Sequence, residues 1–472
     1  MIDTDLFAVI AVVIAGAEVV GLLLAVNAVM GRRSSQGAIA WFIALITMPL
    51  VTVPCYLVFG RTRFLGYAEA LREAADQVGA QVADWRGRMA AFAVSPDKEL
   101  EAVEAVVRRL DDLPFTRFND VALLIDGEAT YDAMIEAVER ARAYVLVQFY
   151  IVRDDAVGRR LRDALIARAQ AGVRVSFLYD EIGCLQLAAG FLGTLRAAGV
   201  LVSGFRTTRG LRNRFQINFR NHRKLLIVDG QIGFIGGHNL GEEYLEYRDC
   251  HLRLEGPAAQ KIQFAFLKDW YWATRQVPDI SDEIAPAVAG DETVAIVTTG
   301  PADGMASCSV LFTTLINTAR RRLWLTSPFF VPDDALVRAL QAAALRGVDV
   351  RVILPGKSGH WVVDLASHTY YPDMIDAGVQ LFRYRERFLH QKVLLVDDGL
   401  ASIGTVNLDN RSLYLNFEVT ALVADEKVAG EVDAMLRRDL SRCEPVERAH
   451  YDARPNWFRA ATRIARLASP LL

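Results

Sequence analysis

A chain of 472 residues is long enough for two or three domains, and 52% hydrophobic residues with a mean hydropathy of +0.20 exceed the soluble norm, so part of it is expected to meet lipid. The formal net charge of -3 gives no whole-chain attraction for nucleic acid or for an acidic partner, so any anion site must be local. The cysteines, Cys55, Cys184, Cys250, Cys308 and Cys443, are scattered, odd in number and without C-x-x-C or His/Cys ligand spacing, which argues against a disulfide framework and a zinc site.

Two apolar runs open the chain, Leu6 to Met30 and Ala38 to Phe59, each long enough to cross a bilayer core. The start, Met1 to Asp5, carries no Lys or Arg, unlike a cleaved signal peptide, so residues 1–60 are expected to form a transmembrane helical hairpin that is retained. Glu18 reads either as an intramembrane functional group or as a partner for Asn27 or another subunit. Pro49 and Pro54 are expected to kink the second run or make it shallow and re-entrant. Arg32 and Arg33 lie between the runs and Arg61, Arg63 and Arg72 follow them, so the positive-inside rule speaks for both sides. The slight excess after the second run favours a cytoplasmic body, whereas the Arg-free start argues the other way. Residues 61–112, rich in Ala, Leu, Glu and Arg, predict a helical juxtamembrane linker or an ordinary packed helix.

The rest reads as an internal repeat, 113–286 and 287–472. Ala143 to Asp155 matches Arg322 to Asp334 in pattern: a strand, a loop, then an acidic helix start. A helix ending near Gly172 or Gly347 follows, then strands Val173 to Tyr179 and Val348 to Leu354, a second helical stretch and a strand hairpin. This order predicts an α/β layer fold used twice, its halves packed face to face around one shared site.

That site is predicted from a frame that occurs twice. His222, Lys224, Asp229 and Asn239 recur at the same offsets as His390, Lys392, Asp397 and Asn407. In an extended strand residues i and i+2 share a face, so each motif presents an imidazole beside an ammonium. The apolar runs Leu225 to Val228 and Val393 to Val396 mark buried strands. Gly230-Gln231 and Asp398-Gly399 suggest two-residue hairpins, which set His222 opposite Asn239 and His390 opposite Asn407. Asp229 and Asp397 alternate away from their histidines and read as structural support. Two His, two Lys and two Asn suit a phosphate better than a metal, and no nucleotide loop or metal-ligand cluster appears.

These paired H-x-K-x4-D motifs resemble those of the phospholipase D superfamily, and more narrowly the bacterial cardiolipin synthases. The supporting text includes Gly236 to Tyr244, Arg248-Asp249, Asp269-Trp270, Ser327 to Asp334, Asn407 to Ser412 and Asn416 to Glu418, and the likeness extends over nearly the whole chain, the apolar start included. The resemblance implies two phospholipase D-like α/β domains, a bacterial inner-membrane location, and no cofactor. It implies phosphatidyl transfer between two phosphatidylglycerol molecules through a phosphatidyl-histidine on His222, with His390 as acid and glycerol as leaving group. Phosphate charge would be met by Lys224, Lys392, Asn239 and Asn407. Glu418, twenty-eight after His390, stands where the superfamily commonly has the carboxylate that orients a histidine; in the first half that offset lands on Cys250, leaving Asp249 as candidate. Tyr247 where a Trp is usual, and Gln391 inside the second motif, depart from the pattern. A membrane phospholipase D using water, or transfer with another donor or acceptor such as phosphatidylethanolamine, remains an alternative, and self-association into a homo-oligomer stays open.

Two basic stretches lie outside the motifs. The first half is longer than the second between Gly199 and His222, and the extra residues include Arg206, Arg209, Arg212, Arg214 and Arg220 without an acid, interleaved with Leu211, Phe215, Ile217 and Phe219. Capture of lipid headgroups by arginine is the preferred reading over a solvated face. Near the C-terminus, Arg454, Arg459, Arg463 and Arg466 with Trp457, Phe458, Ile464 and Leu467 suit a basic amphipathic helix on anionic lipid, or one packed on the body.

Overall fold

The structure is a computed structural model that describes residues 4–31, 34–111, 113–210, 213–278, 280, 288–356 and 359–472. Arg32, Arg33, Leu211 and Arg212, singled out above, lie outside the described residues. Internal contacts divide the chain into two units: Met1–Ala68 with Thr207–Phe219, and Glu69–Arg206 with Arg220–Leu472.

In the first unit the opening run is one helix, α1 (Thr4–Met30), whose segment Phe7–Met30 is long and apolar enough to cross a membrane. The second run is broken into α2 (Ser35–Thr47) and α3 (Pro49–Phe59), each shorter than the ~30 Å hydrocarbon layer at 1.5 Å per residue. Pro49 has no N–H to return to the Leu45 carbonyl, and Met48 leaves the helical region (φ -138, ψ 53). At this break α1 comes close through Gly21, where a Cβ would lie 2.6 Å from the Leu45 carbonyl oxygen. Asn27 pairs not with Glu18 but with α3, accepting a hydrogen bond from the Tyr56 hydroxyl (2.9 Å). The segment Thr207–Phe219 of the Arg-rich stretch folds with this anchor: Phe219 stacks on Phe64 at 5.3 Å, and Gly66 leaves room for the Asn213 side chain.

The helix expected over 61–112 is interrupted. Helix α4 (Leu65–Ala90) has non-helical torsions at Val78, and Pro96 separates it from α5 (Glu101–Asp111). The first repeat then runs β1 (Thr116–Ile125), α6 (Asp126–Glu139), β2 (Tyr144–Phe149), α7 (Ala156–Gln170), β3 (Arg174–Asp180), α8 (Ala189–Ala197), β4 (Leu201–Phe205), β5 (Arg220–Asn221), β6 (Leu225–Val228), β7 (Ile232–Gly236), β8 (Cys250–Glu255) and α9 (Pro257–Thr274). The second runs β9 (Glu292–Thr299), α10 (Ser307–Thr318), β10 (Arg322–Thr326), β11 (Phe330–Val331), α11 (Asp334–Leu345), β12 (Asp349–Pro355), α12 (Trp361–Ser367), α13 (Tyr371–Asp376), β13 (Gln380–Tyr384), β14 (Val393–Val396), β15 (Leu400–Gly404), β16 (Leu408–Asp409), α14 (Asn410–Tyr414), β17 (Asn416–Ala424), α15 (Glu426–Leu440), β18 (Cys443–Pro445), α16 (Arg448–Asp452) and α17 (Asn456–Arg466).

The strand order β8-β7-β6-β2-β3-β4 of the first repeat is matched by β17-β15-β14-β10-β12-β13 in the second, and β1 pairs with β9 to join them into one sheet. Strands β7 and β8 also lie against β15 and β17, so the half-sheets face each other. Equivalent aspartates, Asp155 and Asp333, cap α7 and α11 by accepting from the Gly158 and Leu336 N–H groups. Leu226 and Val228 of β6 point into the core of the first half, Leu394 and Val396 of β14 into that of the second, and the intervening residues are buried on the other face. Burial on both faces is what makes these strands unbroken apolar runs.

The hairpins differ from the two-residue turns expected. Val228 pairs with Ile232 and Val396 with Leu400, so three residues close each loop and the register shifts by one, removing His222 from opposition to Asn239 and His390 from Asn407. The additional turn residue is the motif aspartate, held left-handed at φ 52 in Asp229 and φ 50 in Asp397. Its carboxylate accepts the N–H groups of residues 142–144 in the first half and 320–322 in the second, tying each hairpin to the start of β2 or β10.

Candidate active site

Each motif reaches the site on an extended segment bonded to the opposite half. Strand β5 pairs in parallel with the start of β17, and the His222 N–H donates to the Phe417 carbonyl at 2.9 Å. In the second motif the partners are exchanged: the Arg248 N–H donates to the Phe388 carbonyl at 2.9 Å, and the His390 N–H to the Arg248 carbonyl at 2.8 Å. The residue after the carbonyl that accepts each histidine's N–H is a carboxylate. The His222 Nδ1 lies 3.0 and 2.9 Å from the two Glu418 oxygens, and the His390 Nδ1 lies 2.6 Å from Asp249 Oδ2.

The sequence offsets count each carboxylate within its own half, but the contacts cross between halves. An ionised carboxylate only accepts, so each Nδ1 carries the hydrogen and each Nε2 keeps its lone pair. Asp249 and Glu418 are held below their ordinary values although burial alone would raise them. Lys392, His238 and His390 outweigh burial at Asp249, as His222 and Lys224 do at Glu418.

Lys224 and Lys392 are both buried. The Lys224 Nζ donates to the His222 carbonyl at 2.6 Å and sits 5.3 Å from the centre of the Tyr150 ring, which lies T-shaped to the His222 ring with centroids 4.9 Å apart. Lys392 makes the equivalent bond to the His390 carbonyl. Burial lowers Lys392 to about 8, against the pull of Asp249 and Glu418, and lowers Lys224 well below its ordinary value. Burial likewise depresses His222 to about 4 and His390 to about 3; Lys224 and Lys392 each add to both effects, while Glu418 opposes the first and Asp249 the second. Each motif therefore acts electrostatically on the other.

Asn239 and Asn407 differ. Asn239 Oδ1 accepts from the Ile151 N–H and its Nδ2 donates to the Tyr244 hydroxyl, both at 3.1 Å, whereas the buried Oδ1 of Asn407 has no hydrogen-bond partner among the described residues. Of the arginines, Arg220 lies beside Tyr150, which it hydrogen-bonds. Arg206 is exposed and bonds Glu181. Arg209 and Arg214 belong to the anchor unit, where Arg214 lies over the Phe215 ring. Asp229 and Asp397 serve the hairpin loops.

Spacing did not disclose what holds the carboxylates. Thr405 Oγ1 donates to Glu418 Oε2 at 2.5 Å and Asn416 Nδ2 to Oε1 at 3.1 Å. The residue equivalent to Thr405 is Gly237, where a Cβ would lie 2.1 Å from Asp249 Oδ1. A shorter carboxylate one position earlier fits because this glycine has no side chain, an exchange that aligning the two copies at Gly237 and Thr405 would have shown. Tyr247 places an aromatic ring 5.8 Å from that of His390.

The middle residue of each motif is tied to a helix aspartate. Arg223 forks onto Asp269 of α9 at 2.8 and 2.9 Å. Gln391 reaches Asp439 of α15 at 3.1 Å, and the cation there is Arg248 from the other half, at 2.8 and 3.2 Å. Two ammonium groups beside two carboxylates and two imidazoles suit an anion, and among the described residues no His, Cys, Asp or Glu cluster forms a metal cage.

A family model described as cardiolipin synthase, PLD-like domain, matches residues 134–270 and 312–440, and one described as phospholipase D-nuclease N-terminal matches 19–61. The chain is 46% identical over 474 residues to cardiolipin synthase A of Pseudomonas aeruginosa, covering 97% of this chain and 95% of that one. It is 43% identical over 466 residues to cardiolipin synthase A of Pseudomonas putida, covering 96% and 97%. Among solved structures, phosphatidylserine synthase of Haemophilus influenzae shares the fold, with a TM-score of 0.60 at 13% identity over 79% of this chain and all of that one. With both motifs seated in one site and an apolar helix ahead of them, the chain belongs to the cardiolipin synthase family of phospholipase D-like phosphatidyltransferases and is a membrane-associated enzyme.

Proposed function

We propose that this enzyme transfers the phosphatidyl group of one phosphatidylglycerol to another, forming cardiolipin and releasing glycerol. The observation that carries the reading is the pair of crossed histidine–carboxylate contacts beside two buried lysines. The His222 Nε2 lone pair attacks phosphorus, the bond from phosphorus to the glycerol oxygen breaks, and His390 gives its Nε2 proton to that oxygen. A hydroxyl of the second phosphatidylglycerol then loses its proton to His390 and attacks phosphorus, breaking the phosphorus–nitrogen bond and restoring His222.

His390 must carry a second proton to act first as acid. An arriving phosphodiester supplies negative charge that offsets Lys392, the main charge depressing this imidazole, while Asp249 continues to favour the imidazolium. Both lysines meet the charge that gathers on the phosphoryl oxygens, and the unpartnered Asn407 Oδ1 accepts from a lipid hydroxyl. The Arg-rich stretch binds glycerophosphate headgroups, a reading supported by the place of its segment Thr207–Phe219 in the same unit as the membrane anchor. Both apolar runs lie in the bacterial inner membrane with the catalytic body on the cytoplasmic side. Protease protection of a C-terminal tag in right-side-out vesicles is the expected result; cleavage there reverses the assignment.

The function is tested with purified protein in phosphatidylglycerol vesicles by mass spectrometry, beside His222→Ala. Cardiolipin plus free glycerol, both absent with the variant, is expected, together with a phosphatidyl adduct on the His222 peptide after acid-free quenching. Phosphatidic acid instead of cardiolipin would mean a hydrolase, and cardiolipin only after adding phosphatidylethanolamine a different lipid pair.

A further inference from the structure

Helix α17 presents three faces. On one, Thr462 and Ala465 are buried and Phe458 meets the His368 ring at 5.3 Å, where the helix packs against α12. On another, Trp457, Ile464 and Leu467 recur at i, i+7 and i+10, one ridge at helical spacing, and are 70%, 68% and 81% exposed. Arg459 and Arg463 flank that ridge on the side away from the packed face, and residues 454–466 contain no acid. The body therefore takes up only part of the helix's apolar surface. Leaving Trp, Ile and Leu in water is unfavourable unless something covers them.

We propose that this ridge is a second membrane contact, separate from the N-terminal anchor, seated at the headgroup–acyl boundary of an anionic bilayer. Charge selects lipid over a second copy of the chain. Two ridges facing each other would bring like-charged arginine flanks together, whereas anionic headgroups neutralise them. Trp457 has the amphipathic ring suited to that boundary, and the same ridge-and-flank pattern is what holds an interfacial helix in the membrane plane.

The test uses the full-length protein in lipid nanodiscs with brominated acyl chains, comparing wild type with Trp457→Phe so that the difference isolates one of the seven tryptophans. The Trp457 component is expected to be quenched in a bilayer containing anionic lipid, and the quenching to fall by about half or more in a zwitterionic bilayer or with Arg459→Ser and Arg463→Ser combined. Absence of quenching in the anionic bilayer overturns the proposal. Protection of Trp457 from a water-soluble quencher that grows with protein concentration overturns it in favour of self-association. A Trp457→Phe variant with a lowered melting temperature also overturns it, by making the ring part of the packed body. None of these readouts requires turnover, so they stand whatever the product assay returns.

Discussion

In the first half the residue between the motif His and Lys is Arg223, which brings its own cation to Asp269; in the second it is Gln391, and the cation on Asp439 is Arg248, supplied by the first half. The carboxylates differ in the same way: Glu418 is held by Thr405 and Asn416, while Asp249 occupies space that Gly237 leaves open. One frame, used twice, thus hides two sets of supporting contacts. Because each histidine is oriented from across the seam, neither half contains a complete site.

The largest effect is expected from the histidines themselves. His222→Ala and His390→Ala should each lower cardiolipin formation on the order of 10³-fold without changing the circular dichroism spectrum. Equal losses fit a shared site, whereas retained turnover in either variant would break the two-half account. The crossed carboxylates sharpen it. Glu418→Gln and Asp249→Asn should each cost on the order of 10²-fold or more, but only the Asp249→Asn defect should shrink when a nitrophenyl phosphatidyl ester replaces phosphatidylglycerol, because an acidic leaving group has less need of His390 as acid. Recovery by Glu418→Gln instead would exchange the roles of the histidines.

Stability should separate the halves next. Arg223→Ala removes the guanidinium that forks onto buried Asp269 and should destabilise by about 3–5 kcal/mol, whereas Gln391→Ala, with Arg248 still on Asp439, should cost about 1 kcal/mol. Denaturant midpoints in detergent measure both. Thr405→Val should lower turnover about tenfold through Glu418, with the substrate KM unchanged.

The smallest effect is a pH limb. Lys392 acts as a cation and is lowered to about 8, so kcat/KM should fall as pH rises through about 8. Lys392→Arg should push that limb upward, since a guanidinium keeps its charge. An alkaline limb that stays in place in the variant would detach it from this lysine.

Much of this was legible without coordinates because it is encoded at short range. The repeated offsets of His, Lys, Asp and Asn identify the motifs, period-two alternation separates the histidines from Asp229 and Asp397, and unbroken apolar runs mark strands buried on both faces. Local spacing was less able to fix a turn. Two-residue hairpins and three-residue loops are compatible with the same residues, and the left-handed aspartates were decided by backbone N–H groups at and just before the starts of β2 and β10 that needed an acceptor. The second apolar run likewise had the composition of a span, but the missing N–H of Pro49 and the close approach of Gly21 made it two helices.

The sequence by itself determined the candidate catalytic groups and that their frame comes in two copies. Tertiary structure alone decided which carboxylate serves which histidine, since the partners lie 196 and 141 residues apart and meet only when the halves close on each other. It also placed Thr207–Phe219 of the Arg-rich stretch, but neither Arg206 nor Arg220, with the membrane anchor. Offsets along a chain report neighbours within one element, whereas contacts across a seam depend on how separately folded layers bury their faces.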